Sequence, residues 1–125
     1  MRTFRKGSVL AVLVALLALV AAVAAFGNSA QQKATTTVAV TAGKPSELKF
    51  TLSKKTILQG TGVFKVVNKG KLSHNFKIAG KKTAFLAAGK AATLRVTFAK
   101  AGKYAYLCTV PGHAAAGMKG VLVVK

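Results

Sequence analysis

From Thr35 to the carboxy terminus, apolar and polar residues alternate in short runs rich in Val, Thr, Phe and Leu, separated by clusters of Gly, Lys, Asn and Ser. Alternation with a period of two marks a strand that buries one face. Strands are therefore expected over residues 35–41, 47–52, 62–68, 73–79, 91–98, 103–108 and 119–124. The turn-forming groups Gly43-Lys44-Pro45, Asn68-Lys69-Gly70, Gly80-Lys81-Lys82, Ala88-Gly89-Lys90 and Ala101-Gly102 fall between them. No long helical pattern occurs after the first thirty residues, and seven short strands at this spacing predict an all-β antiparallel sandwich.

Parity within each run says which side chains share a face, because successive residues of a strand point to opposite sides. Leu94, Val96 and Phe98 fall on one face, with Arg95 and Thr97 on the other. Tyr104, Tyr106 and Cys108 share a face, and so do His74, Phe76 and Ile78, against Ser73, Asn75 and Lys77. This places His74 and Cys108 at or near the core.

The amino terminus has a different character. Arg2, Arg5 and Lys6 precede an apolar run over residues 9–26, followed by Asn28, Ser29, Gln31 and Gln32. That order reads as an export signal with a small-residue junction after Ala25, Gly27 or Ala30. The run also just reaches the length that spans a bilayer, so an uncleaved membrane anchor is the other reading. Residues 1–30 are thus a signal peptide or anchor helix, residues 34–125 the folded domain, and the expected location is periplasmic or otherwise extracytoplasmic. From Lys33 onward seventeen basic residues stand against one acid, Glu47, a formal charge of +16. Such a field implies acidic partners or an anionic membrane surface, or simply a solvated face.

Chemistry concentrates near the carboxy terminus. Cys108 is followed by His113 five positions on and Met118 five further, with Pro111-Gly112 setting a turn before His113 and Gly117 letting the chain fold back before Met118. A thiolate and imidazoles suit copper, and two His with one Cys and a weak axial Met define the blue-copper electron-transfer site. The only other histidine is His74. Apart from Met1, the chain has two His, one Cys and one Met, and a site of this kind uses all four. Singly, each has an ordinary structural explanation: a small inert hydrophobe, a gap-filling Met, a surface His. Jointly those explanations are poor, because a lone exported thiol gains nothing from staying free, whereas a metal holds it deprotonated and shielded.

The segment from Tyr106-Leu107-Cys108 to Gly120 resembles the ligand loop of the cupredoxins, or blue copper proteins. The long gap ending in Val110-Pro111-Gly112-His113 is most similar to the rusticyanin and auracyanin branch; plastocyanin has a shorter gap between Cys and His. Leu72-Ser73-His74-Asn75-Phe76 is similar to the family's first-histidine motif, so the resemblance covers about Thr35 to the end. It implies a Greek-key β-sandwich with one copper at one end, held equatorially by His74, Cys108 and His113 and axially by Met118. It implies that Asn75 ties the ligand loops together by hydrogen bonds near Thr109, and that redox partners dock on an apolar patch of Pro111, Ala114, Ala115 and Ala116 around His113. The chain departs from its relatives in being shorter than rusticyanin and far more basic than most cupredoxins.

The expected function is one-electron transfer by a monomer, with no substrate transformed, since no histidines remain for the second metal of a copper oxidase or nitrite reductase. A copper chaperone or storage protein would use the same ligands to deliver metal. Nucleic-acid binding is not expected, because the lysines lack an aromatic-rich basic face or a recognition motif.

Overall fold

Alternation along the chain becomes alternation of burial in the computed structural model, which describes residues 33–125. In β1 (Ala34–Ala42) Val38, Val40 and Ala42 turn inward. In β4 (Gly60–Asn68) Phe64 and Val66 are buried while Lys65 is exposed. In β7 (Ala91–Phe98) Val96 and Phe98 are buried and Arg95 and Thr97 exposed, and in β8 (Gly102–Leu107) Tyr106 is buried. Shorter elements complete the set: β2 (Phe50–Leu52), β3 (Thr56–Ile57), β5 (Lys77–Ile78), β6 (Lys81–Lys82) and β9 (Lys119–Val124). No helix occurs among the described residues. The expected signal or anchor helix lies outside them.

One sheet has the order β2-β1-β4-β7, the other β3-β9-β8-β5-β6. Their inner faces share one apolar core, in which Val38, Val40, Phe64, Val66, Val96 and Phe98 from the first sheet meet Ile57, Ile78, Tyr106, Leu122 and Val124 from the second. Burial of these side chains is the main favourable contribution to folding. Phe76 joins them, with its ring centroid 5.3 Å from Phe64, 5.4 Å from Phe50 and 5.5 Å from Tyr106.

The all-β, two-sheet architecture agrees with the sequence reading; several details do not. The sandwich is mixed instead of antiparallel, because β1 pairs β4 and β3 pairs β9 in parallel. Parallel neighbours need a crossover, and the chain supplies one by passing through β2 and β3 between β1 and β4. The strand expected over 47–52 starts only at Phe50, since a turn closed by Lys49 N–H on the Ser46 carbonyl (3.2 Å) precedes it. The strand expected over 73–79 is mostly loop: His74 makes a single bridge to Leu86 and regular pairing begins at Lys77. There Asn75 is buried instead of facing outward with Ser73 and Lys77, since the chain has left the pleat. Cys108 sits one residue beyond the end of β8.

The pairing registers bring six segment ends to one end of the sandwich. Ala42 of β1 lies opposite Asn68 of β4, Val67 of β4 opposite Ala91 of β7, Lys77 of β5 opposite Leu107 of β8, and Leu107 opposite Lys119 of β9. The connections carrying Glu47, His74, Cys108, His113 and Met118 all belong to that end.

Candidate metal centre

Each candidate residue is placed by a different local device. His74 is fixed by its bridge to Leu86, whose two backbone hydrogen bonds are 3.1 and 2.7 Å. Asn68, fully buried at the end of β4, holds the loop on either side by donating from Nδ2 to the carbonyls of Leu72 and Leu86, both at 2.7 Å. Cys108 N–H donates to the Met118 carbonyl at 3.1 Å, which pins the two ends of the ligand loop together. Between them the chain winds through turns: His113 N–H to Val110 O, Ala116 N–H to Gly112 O, Gly117 N–H to Ala114 O and Met118 N–H to His113 O. Gly112 (φ 83°) and Gly117 (φ 110°) take left-handed conformations there that favour glycine. At Gly117 a Cβ would also fall 2.7 Å from Lys49 Nζ.

These devices bring three donors together. His74 Nδ1 lies 3.2 Å from His113 Nδ1, and Cys108 Sγ lies 4.0 Å from His74 Nδ1 and 3.7 Å from His113 Nδ1. A point equidistant from the corners of a triangle with these sides lies about 2.1 Å from each. That distance matches the bonds imidazole and thiolate make to a transition metal, about 2.0–2.3 Å for zinc. The donor set therefore fits one metal ion, and its softness fits copper. His74 and Cys108 are buried and His113 is half-buried, with Pro111, Ala115 and Ala116 exposed beside it. Met118 is fully buried and packs in one small cluster with Cys108 and Ala42, flanked by Leu48, Phe50 and Val110. All four expected ligand residues are thus at one place.

Burial pulls the pKa of His113 below 6.5, with the neighbouring His74 acting in the same direction. Both effects favour the neutral ring, the form that binds a metal.

Around the donors lies a ring of hydrogen bonds. Asn75 Nδ2 donates to Thr109 Oγ1 and Thr109 N–H donates to Asn75 Oδ1, both at 2.7 Å, so Asn75 does link the two ligand loops, through the Thr109 side chain as well as its backbone. Two contributors escape sequence reasoning: the pattern makes Asn68 the end of a strand and the start of a turn, and Glu47 the first residue of a strand and the lone acid, and it gives neither a part in the site. Glu47 Oε1 lies 2.8 Å from His74 Nε2, and its carboxylate accepts from the N–H groups of Lys71 and Leu72. Those two backbone donors, then His74, hold the Glu47 carboxyl at about 2 against an ordinary 4.5. No buried side-chain nitrogen or oxygen among the described residues lacks a partner.

Residues 35–125 match the family model described as copper binding proteins, plastocyanin/azurin family. Among solved structures, rusticyanin from Thiobacillus ferrooxidans is 27% identical, with 73% of this chain and 77% of that chain covered and a TM-score of 0.64. Auracyanin B is 26% identical over 74% of this chain and 90% of its own, with a TM-score of 0.61. Reduced auracyanin from Roseiflexus castenholzii, at 24% identity, shares the fold over 73% of this chain and 96% of its own with a TM-score of 0.57. No curated protein matches.

Proposed function

The chain belongs to the copper-binding plastocyanin/azurin family, and from that premise we propose that it is a type 1 copper protein carrying single electrons between extracytoplasmic redox partners. The observation that carries this reading is the donor triangle, whose centre lies about 2.1 Å from His74 Nδ1, His113 Nδ1 and Cys108 Sγ. His74, Cys108 and His113 would hold the copper through Nδ1, Sγ and Nδ1, and Met118 would add a weak fourth donor. Bound copper supplies a one-electron couple between the cuprous and cupric states.

The protein's part is to hold the donors still. Burial of His74, Cys108 and Met118 keeps water away from three of the four ligands, and the Asn75–Thr109 and Asn68 hydrogen bonds keep the loops from moving as charge changes. A fixed, closed site favours electron transfer over the copper delivery of a chaperone, which needs ligands that can open. The half-buried edge of His113, with Pro111, Ala115 and Ala116 exposed around it, is the contact through which partners dock. All seventeen lysines and arginines among the described residues are exposed, which supports acidic partners. We further propose export, with residues 9–26 serving as signal or anchor.

Titrating the copper-free protein with cupric salt should give an intense thiolate-to-copper visible band and a reversible redox couple, and Cys108→Ser should abolish the band. A colourless, rapidly exchanging site would support storage or delivery instead; a blue band surviving in C108S would overturn the ligand assignment.

A further inference from the structure

Glu47 is the only acidic side chain in a chain with 20 lysines and arginines. On a surface that basic, an ordinary carboxylate has cations to pair with at every side. Among the described residues it pairs with none of them: the one ion pair is to His74. Its Oε1 lies 2.8 Å from His74 Nε2 and accepts from Lys71 N–H (3.0 Å) and Leu72 N–H (2.9 Å), while Oε2 accepts from Lys71 N–H at 2.9 Å. The backbone has made room for this contact. A Cβ at Gly70 would stand 3.0 Å from His74 Nε2 and closer still to Glu47 Oε1, so any other residue at 70 would wedge the two apart.

The proton logic follows from the partners. An ionised carboxylate only accepts hydrogen bonds, so the His74 nitrogen facing it carries the hydrogen. In the neutral ring that leaves the lone pair on Nδ1, the atom at the corner of the donor triangle. A carboxylate behind a ligating histidine fixes its tautomer and orientation and makes the imidazole a stronger donor. Asn75 and Asn68 hold loops; Glu47 alone brings charge to a ligand ring.

We propose that Glu47 is a positioning residue of the copper centre: its carboxylate keeps the His74 proton on Nε2, aims Nδ1 into the site, and through its negative charge favours the cupric over the cuprous state. This rests on the blue-copper reading of the site. Losing the charge while keeping the hydrogen bond should therefore raise the reduction potential. A tenfold weaker hold on cupric ion, the lower end of what such contacts contribute to affinity, corresponds to about 59 mV for a one-electron couple.

The test uses the full chain as wild type, Glu47→Gln, Glu47→Ala and Gly70→Ala. Nitrogen-15 chemical shifts of the copper-free protein report the His74 tautomer; voltammetry of the copper-loaded protein reports the potential. The wild type should show the proton on Nε2. E47Q, whose amide oxygen still accepts, should keep that tautomer and the blue band with a potential raised by about 59 mV or more. E47A and G70A should lose the tautomer preference. Wild-type His74 carrying its proton on Nδ1, or an E47Q potential equal to wild type, would overturn the proposal. Should E47A fail to fold, the wild-type shifts and E47Q decide alone. A wild-type protein without a thiolate band would sink the blue-copper reading instead, a failure the copper-free nitrogen shifts keep separate.

Discussion

Replacing Asn75 with alanine removes both 2.7 Å hydrogen bonds that join the His74 loop to the Cys108 loop. Asn75 is 1% exposed, so water does not freely replace what is lost. A typical hydrogen bond contributes about 1 kcal/mol net, and a buried donor left without a partner costs about 1–3 kcal/mol. Losing the bond to Thr109 Oγ1 and stranding the Thr109 N–H should therefore cost about 2–4 kcal/mol together. A domain of this size has about 5–14 kcal/mol in all, so the loss is a large fraction of it. In the copper-free protein, N75A should lower Tm by about 8 °C or more. T109A removes only the side-chain bond and should cost about half as much. The double variant should cost no more than N75A, because Asn75 takes part in both bonds. Urea unfolding of the four proteins gives the cycle directly. Copper retention should weaken about ten- to a hundredfold in N75A, read by competition with a chelator. An N75A protein within about 0.5 kcal/mol of wild type, the range of ordinary surface changes, would refute the claim that this pair fastens the site. So would strictly additive losses.

Met118 is fully buried, and leucine is close to it in volume, so Met118→Leu should cost less than about 1.5 kcal/mol while raising the reduction potential through loss of an axial donor; an unchanged potential would make Met118 core alone. Glu47 offers a pH signature in the copper-free protein. Its carboxyl titrates at about 2 when folded against 4.5 ordinarily, so the folded state binds the proton less readily than the unfolded one. Its stabilising contribution is then complete above pH 4.5 and disappears as pH falls towards about 2. The gap in urea midpoint between wild type and E47Q should hold steady above pH 4.5 and close below it; a constant gap down to pH 2 would contradict the shift.

What could be read in the sequence was what has a period or a spacing. β7 and β9 follow their alternation closely, with Val96, Phe98, Leu122 and Val124 buried as parity requires, and β4 buries Phe64 and Val66 on one parity although Val63 beside them is buried too. The four site residues were legible because Cys108, His113 and Met118 share a short loop with turn residues between them, and because the chain holds only one other histidine. Parallel pairing of β1 with β4 was not legible: alternation says which face is buried and nothing about the direction of the neighbour. The His74 segment was misread for a related reason. His74, Phe76 and Ile78 are buried as in a strand, yet Asn75 between them is buried too, held by a residue 34 positions away. Nothing local in Pro45-Ser46-Glu47-Leu48 announces that Glu47 reaches a histidine 27 positions on. Its being the sole acid was the only cue, and a count carries no geometry.

The distribution of positive charge leads to a further test of how partners are met. Lys44, Lys69 and Lys119 belong to the site end of the sandwich, whereas Lys100 and Lys125 follow strand ends at the opposite one, and Lys54 precedes Lys55, whose carbonyl accepts from Val123 N–H near that same far end of β9. A nine-residue strand such as β4 is about 30 Å long at 3.3 Å per residue. Charges act over about 30 Å at 0.01 M salt but only about 8 Å at 0.15 M. At low salt the whole charge should therefore draw in an acidic partner, with orientation left to the apolar surface around His113. At physiological salt only the near lysines should still be felt. Exchange with an acidic redox protein should slow in both K44Q/K69Q and K54Q/K100Q at 0.01 M salt, and only in K44Q/K69Q at 0.15 M. A neutral small-molecule oxidant should be indifferent to all four substitutions and to salt, because it experiences no steering. Stopped-flow rates across the two salt concentrations decide the matter. Equal slowing by both pairs at 0.15 M would show that the partner does not approach by the His113 end, and no slowing by either at 0.01 M would reduce the lysines to a solubilising surface.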